Sequence, residues 1–322
     1  MVNKKTILLT GAAGFIGFHL IRELIARGDE VIGVDNINDY YDPKLKKERL
    51  KILKQLAGFK FYKADISNYK KLQKIFKKHD KITHVCNIAA QAGVRYSIEN
   101  PFTYEESNCK GFLNVLECCR HNKIKNLVYC SSSSIYGDEN KAPFKEDSNT
   151  DKPESLYAAT KKFNELAAHA YHKLYGLNCT GLRFFTVYGP WGRPDMAYYK
   201  FSKKIMNDEE IEVYGHGKHR RDFTYVSDIV AGFIAALDKS YPLEVFNLGC
   251  SNPVELMDFI KILEDALGKK AKKKMLPKQP GDVYETYADT SKAKKMLGYK
   301  PKISFKEGIK EFVEWFKEHD HL

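Results

Sequence analysis

Residues 5–35 read KTILLTGAAGFIGFHLIRELIARGDEVIGVD, and this stretch decides the fold. TILLT is an apolar run of strand length, and GAAGFIG places Gly11, Gly14 and Gly17 in one turn. FHLIRELIAR then repeats apolar residues at helical spacing, and EVIGVD is a second strand that ends on Asp35. Strand, glycine-rich turn, helix and strand form the opening unit of a doubly wound, Rossmann-type parallel sheet. The glycines permit a tight turn and let backbone N–H groups approach a pyrophosphate at the helix N-terminus. A carboxylate at Asp35 accepts hydrogen bonds from ribose hydroxyls and repels a 2′-phosphate, which predicts NAD rather than NADP.

Outward from this unit, strand-like runs (FKFYKAD, THVCNIAA, NLVYCSSS, NCTGLRFF) alternate with amphipathic helical stretches. That rhythm predicts an α/β fold with helices on both faces of the sheet. Asp65 ends FKFYKAD as Asp35 ends EVIGVD, and either faces adenine or is a turn acid. Ala89, Ala90 and Gln91 end the next strand, where small side chains would let backbone meet the cofactor. After Phe185 the rhythm gives way to glycine- and proline-rich loops and then to helices near 255–267 and 305–317. We therefore expect a dinucleotide-binding domain over 1–180, with 223–250 partly returning to it, and a smaller C-terminal substrate-binding domain over 181–322.

Composition narrows the class. Hydrophobic content of 43% and charged content of 29% describe an ordinary globular chain. No run reaches the ~18 apolar residues of a membrane-spanning helix. Seven cysteines without paired spacing suit a reducing cytoplasm. The net charge of +12 comes from lysines scattered over helix faces, as in PKLKKERLKILKQL, which reads as a solvated surface and not as a nucleic-acid groove. The ten histidines form no constellation with metal-ligand spacing, so no metal is expected.

Chemistry enters with YAATK, which places Tyr157 and Lys161 four residues apart on one helix face. An ammonium beside a phenol favours the phenolate, making Tyr157 a candidate general base. The upstream CSSSSIYG run offers Ser132, Ser133 and Ser134 as hydroxyls for a substrate, or as local backbone caps.

The order TGAAGFIG, SSSSIYG, YAATK and LRFFTVYGPWGRPDMA resembles the extended short-chain dehydrogenase/reductases, specifically nucleotide-sugar epimerases. Among them the chain looks most like the UDP-glucuronate 4-epimerases. The resemblance implies that Tyr157 is the catalytic base, that Lys161 binds the nicotinamide ribose and that Ser132 contacts the sugar 4-hydroxyl. Ser133 and Ser134 would line the sugar site, and Thr186 with Arg193 would hold a sugar carboxylate. Arg221 would bind diphosphate and Asp282 the uridine ribose. It also puts Phe15, Ile16, Asn36, Ile66 and Asn108 beside NAD, and implies a homodimer built on helices around 102–121 and 157–175. The dehydratases of the family carry an Asp-Glu pair where this chain has Ser133-Ser134, which disfavours dehydration. A 4-epimerase of neutral or N-acetyl UDP-sugars, a UDP-glucuronate decarboxylase and a non-catalytic dinucleotide-binding sensor or scaffold stay open.

Overall fold

The computed structural model describes residues 4–138, 140–278 and 284–319. Its strands are β1 (Thr6–Thr10), β2 (Glu30–Asp35), β3 (Phe59–Lys63), β4 (His84–Asn87), β5 (Asn126–Ser132), β6 (Asn178–Phe184) and β7 (Thr186–Tyr188). They continue with β8 (Glu210–Val213), β9 (Arg220–Tyr225), β10 (Leu243–Leu248), β11 (Pro253–Glu255), β12 (Lys272–Met275) and β13 (Glu285–Thr286).

Seven of these form one sheet in the order β10-β6-β5-β4-β1-β2-β3, every pair parallel. Successive side chains of a strand point to opposite faces. Accordingly Ile7 and Leu9 enter one core while Leu8, between them, enters the other. The chain winds away from β1 in both directions, through β2 on one side and β4 on the other. The strand order therefore reverses beside β1, and a crevice opens where the carboxyl ends of β1 and β4 diverge.

The helix Phe15–Ala26 buries Phe15, Phe18, Leu20, Ile21 and Leu24, the apolar stripe read from the sequence. β6 crosses residue 180 and lies wholly in the large sheet, and β10 joins its edge. β9 instead pairs with β7, β11 and β13 in a small second sheet, and β8 pairs with β12. Helices Leu256–Leu267 and Phe305–His319 occupy the expected C-terminal positions, accompanied by Ala197–Met206 and Ser291–Leu297. No helix among the described residues is long and apolar enough to cross a membrane.

Candidate active site

One cleft runs along the carboxyl ends of the central strands. Its lining includes Gly11, Gly14, Phe15, Ile16, Asp35, Asn36, Asp65, Ile66, Ala89, Ala90 and Gln91 towards one end. Ser131, Ser132, Tyr157, Lys161, Phe185, Arg193 and Met196 line the other.

The glycine turn is shaped by contact. Gly11 has φ +77°, and a Cβ there would stand 2.7 Å from the Ala89 amide nitrogen. Gly17 packs against the Gly11 carbonyl instead of facing the cleft, which closes the turn on the helix behind it. Gly14 is the N-cap of the helix Phe15–Ala26 and supplies no side-chain cap. The first amides of that helix are thus left for an acceptor from outside the chain.

Asp35 accepts hydrogen bonds from the amides of Ala13 (3.0 Å) and Ile37 (2.7 Å). Burial pushes its carboxyl above the usual range, and those amides and the nearby Lys46 and Arg49 oppose the shift. Asp65 accepts from Asn36 Nδ2 at 2.7 Å and from the Ser67 amide at 2.8 Å. Burial works against its charge, but these bonds more than offset that and leave the carboxyl below its ordinary value. A bare glycine cradle, uncapped helix amides and a strand-end acid along one cleft fit a dinucleotide with its pyrophosphate at the turn and its adenosine ribose near Asp35.

At the other end, the helix Leu156–Tyr175 starts on Ser155, whose side chain accepts from the Ala158 amide at 3.1 Å. This cap fixes the turn bearing Tyr157. Lys161 is buried and donates to the Cys130 carbonyl at 2.9 Å, with its ammonium 6.0 Å from the centre of the Tyr157 ring. Ser132 ends β5, and its hydroxyl accepts from the Ser134 amide at 3.2 Å. Ser131 donates to Glu165 at 2.6 Å, and Glu165 is paired with Arg183 in a buried network that joins the strand to the Tyr157 helix. Arg193 is paired with Asp195, with Nε to Oδ1 at 3.0 Å. Burial opposes the Arg193 charge, yet the Asp195 carboxylate raises its pKa above the ordinary value.

The remaining predicted residues take other places. Ser133 and Ser134 open the 3-10 turn Ser133–Tyr136, outside the cleft lining. Thr186 lies between the lining residues Phe185 and Val187. Arg221 is on β9, where it donates to the Tyr284 carbonyl at 3.2 Å. Asp282 lies outside the described residues. Asn108 is a brace behind the cleft: it accepts from the Gln91 amide and donates to the Gln91 carbonyl and to Thr160. Among the described residues no three His, Cys, Asp or Glu side chains cluster as a metal site.

Two cations were missed by the sequence reading. Lys46 lines the cleft beside Asp35, and burial lowers its ammonium to about 8. Arg49 is fully buried and donates to the carbonyls of Ala13 (2.9 Å) and Trp191 (2.6 Å). PKLKKERLKILKQL is therefore not wholly a solvated face. Lys46 and Arg49 share the buried stripe of the helix Pro43–Leu53 with Leu45, Leu50 and Leu53. The available signal was spacing: Arg49 stands four residues from Leu45 and Leu53, and Lys46 four from Leu50.

A Rossmann sheet with a glycine cradle, a strand-end acid and a Tyr-Lys pair beside a strand-end serine defines a nicotinamide-dependent enzyme of the extended short-chain dehydrogenase/reductase class. Residues 7–249 match the NAD dependent epimerase/dehydratase family, and the chain belongs to that family. It is 50% identical over 333 residues to UDP-glucuronate 4-epimerase 4 of Arabidopsis thaliana, covering 98% of this chain and 76% of that one. It is 48% identical over 316 residues to UDP-glucuronate 4-epimerase of Thermodesulfobacterium geofontis, covering 98% of this chain and 97% of the relative. The crystal structure of UDP-glucuronic acid 4-epimerase from Bacillus cereus, in complex with UDP-glucuronic acid and NAD, is similar at a TM-score of 0.91. Its identity is 36%, and the match covers 97% of this chain and 99% of that one.

Proposed function

We propose that this enzyme is an NAD-dependent isomerase that inverts C4 of UDP-glucuronate to give UDP-galacturonate. The observation that carries the sugar assignment is Arg193 lining the same cleft as Tyr157, Lys161 and Ser132. A guanidinium offers a planar fork to a carboxylate, which a neutral sugar does not need. Two relatives, 50% and 48% identical, are named UDP-glucuronate 4-epimerase.

NAD bound along the glycine cradle supplies a reversible acceptor for the hydride of the sugar C4 and is regenerated in each turnover. Asp35 would hold its adenosine ribose, Lys161 its nicotinamide ribose, and the first amides of the helix Phe15–Ala26 its pyrophosphate. Tyr157 takes the proton of the 4-hydroxyl, with Ser132 holding or relaying it, and returns it to the C4 oxygen once the 4-keto sugar has turned and its opposite face has taken the hydride back. Arg193 restrains the carboxylate of that β-keto acid, which disfavours loss of CO₂. Arg221 and Asp282 are assigned to the diphosphate and the uridine ribose, in a C-terminal lobe that begins beyond β6.

The decisive test is to incubate the purified holoenzyme, without added cofactor, with UDP-glucuronate, UDP-glucose and UDP-N-acetylglucosamine and to separate the products by chromatography. Conversion of UDP-glucuronate to UDP-galacturonate is expected to dominate. Preferred turnover of a neutral sugar would reassign the substrate, and no turnover of any would favour a non-catalytic dinucleotide-binding role.

A homodimer suits the same chain. Phe102 and Ile98 are 85% and 78% exposed, and Leu166 and Leu174 are exposed on the Tyr157 helix. These short and long helices pack together and carry an apolar face that a second copy would cover. Light scattering should give twice the chain mass, and Phe102→Glu with Leu166→Glu should halve it. A reducing cytoplasmic setting fits seven cysteines that are all free thiols.

A further inference from the structure

Arg193 is held in a way that its role as a carboxylate fork does not by itself require. A guanidinium has two bidentate edges, Nε with Nη2 and Nη1 with Nη2. Asp195 occupies the first: Nε donates to Oδ1 at 3.0 Å and Nη2 to Oδ2 at 2.5 Å. Both of these bonds leave from Nε and Nη2, so the Nη1 edge is not engaged by Asp195, and Arg193 lines the cleft whereas Asp195 does not. Asp195 is itself held from the far side, because the Tyr40 hydroxyl donates to Oδ2 at 3.2 Å. Tyr40 comes from the loop that follows β2 and Asp35. Its ring packs 4.9 Å from that of Tyr96, and its hydroxyl lies so near Gly93 that a Cβ there would stand 2.6 Å away. The chain Gly93, Tyr40, Asp195, Arg193 thus reaches from the loop after β4 to the part of the cleft lined by Arg193.

We propose that Asp195 is a positioning residue for substrate choice: it fixes Arg193 side-on, with Tyr40 fixing Asp195, so that the Nη1 edge of the guanidinium stands ready for the carboxylate of an acidic sugar. The inference rests on the acidic-sugar reading above. An arginine loses much side-chain freedom when it binds, and one already locked in its bound direction loses less on meeting substrate. Charge alone predicts the opposite behaviour. Asp195 is a carboxylate beside the site, so its removal would by simple electrostatics strengthen the attraction for a second carboxylate. The sign of the effect therefore separates positioning from repulsion.

The test uses holoenzyme carrying Asp195→Asn, Tyr40→Phe or Arg193→Ala. It reads KM and kcat for UDP-glucuronate, and the inhibition constant of UDP-glucose as a competitor in the same assay. Asparagine keeps the volume but turns an NH₂ group towards Nη2, so the bidentate pair is lost. Asp195→Asn is expected to raise the KM for UDP-glucuronate about tenfold, with kcat within about threefold and the UDP-glucose constant within about twofold. Tyr40→Phe removes one hydrogen bond and is expected to act in the same direction by about two- to threefold, which keeps the test open if Asp195→Asn does not fold. A KM for UDP-glucuronate that is unchanged or lower in Asp195→Asn, or equal rises for both sugars, would overturn the proposal. If Arg193→Ala raises that KM while Asp195→Asn does not, positioning alone is wrong. If Arg193→Ala leaves it unchanged, the acidic-sugar reading fails and this proposal falls with it.

Discussion

The Lys161 ammonium donates to the backbone carbonyl of Cys130 at 2.9 Å, tying the helix that carries Tyr157 to the strand that ends at Ser132. Tyr157 and Ser132 are thereby indexed to each other by a side chain that also lines the cleft. For the proposed proton transfer this tie matters, since a small misplacement of reacting groups is costly.

Tyr157→Phe keeps the ring packed against Tyr104, whose centre is 6.1 Å away, and removes only the hydroxyl. Cofactor content and melting temperature should stay near wild type. Turnover should fall by about 10²–10⁴, the usual worth of general acid–base catalysis. A chromatographic assay showing activity within threefold of wild type would remove Tyr157 from the mechanism.

Asp35→Ser deletes a carboxylate that holds two loop amides and stands where a ribose would bind. NAD affinity should drop and discrimination against NADP should relax, because an acceptor and a like-charge repulsion vanish together. Titration calorimetry of cofactor-stripped protein with both dinucleotides measures the ratio. An unchanged ratio would move the determinant to the Asn36–Tyr41 loop or to Lys46.

Arg193→Ala should lower kcat/KM for UDP-glucuronate by roughly 30-fold or more, corresponding to about 2–5 kcal/mol for a lost charge-assisted pair. Slow turnover of UDP-glucose should change far less. A trace of UDP-pentose is expected as the freed carboxylate rotates out of the ketone plane. Thr186→Ala should shift behaviour the same way but less, having lost a neutral donor. Equal losses on both sugars would make Arg193 a loop anchor.

His19 donates from Nε2 to the Pro190 carbonyl at 2.9 Å, and burial lowers its pKa from 6.5 to about 4. The unfolded chain takes up this proton near pH 6.5 and the folded chain only near pH 4. Stability attributable to His19 is therefore complete above that window and is lost as pH falls through it, by on the order of 1–3 kcal/mol. Urea denaturation at pH 7.5 and pH 5 should show the drop, and His19→Gln should shrink it. A pH dependence identical in the variant would refute the assignment.

The parallel sheet and glycine cradle were legible because their signals are local: apolar runs of strand length, a glycine triplet and a helical repeat lie next to each other in the chain. That Tyr157, Lys161 and Ser132 would line one cleft was legible through spacing and resemblance. The buried Lys46 and Arg49 were not, since a helix with nearly every second residue charged reads as solvated until the partners at Asp35 and Trp191 are known. Asn108 was read as a cofactor contact, but its amide is spent on Gln91 and Thr160, a distinction that only three-dimensional distance makes. The small sheet was invisible for a related reason. β7, β11 and β13 are two or three residues long and pair with β9 across long stretches of chain, and β8 finds β12 only after some sixty intervening residues.

Arg49 bears on how such an enzyme can be re-engineered. Its guanidinium grips the Ala13 carbonyl of the glycine turn with one nitrogen, Nη1, and the Trp191 and Gly192 carbonyls just ahead of Arg193 with the other, Nη2. The stretch 189–196 is therefore not a detachable cassette. Moved into a scaffold with a shorter or apolar side chain at position 49, it would leave its carbonyls unanswered and its arginine unaimed. A chimera seeking an acid-accepting pocket would have to carry the helix Pro43–Leu53 along with the loop, as two pieces of one transplant.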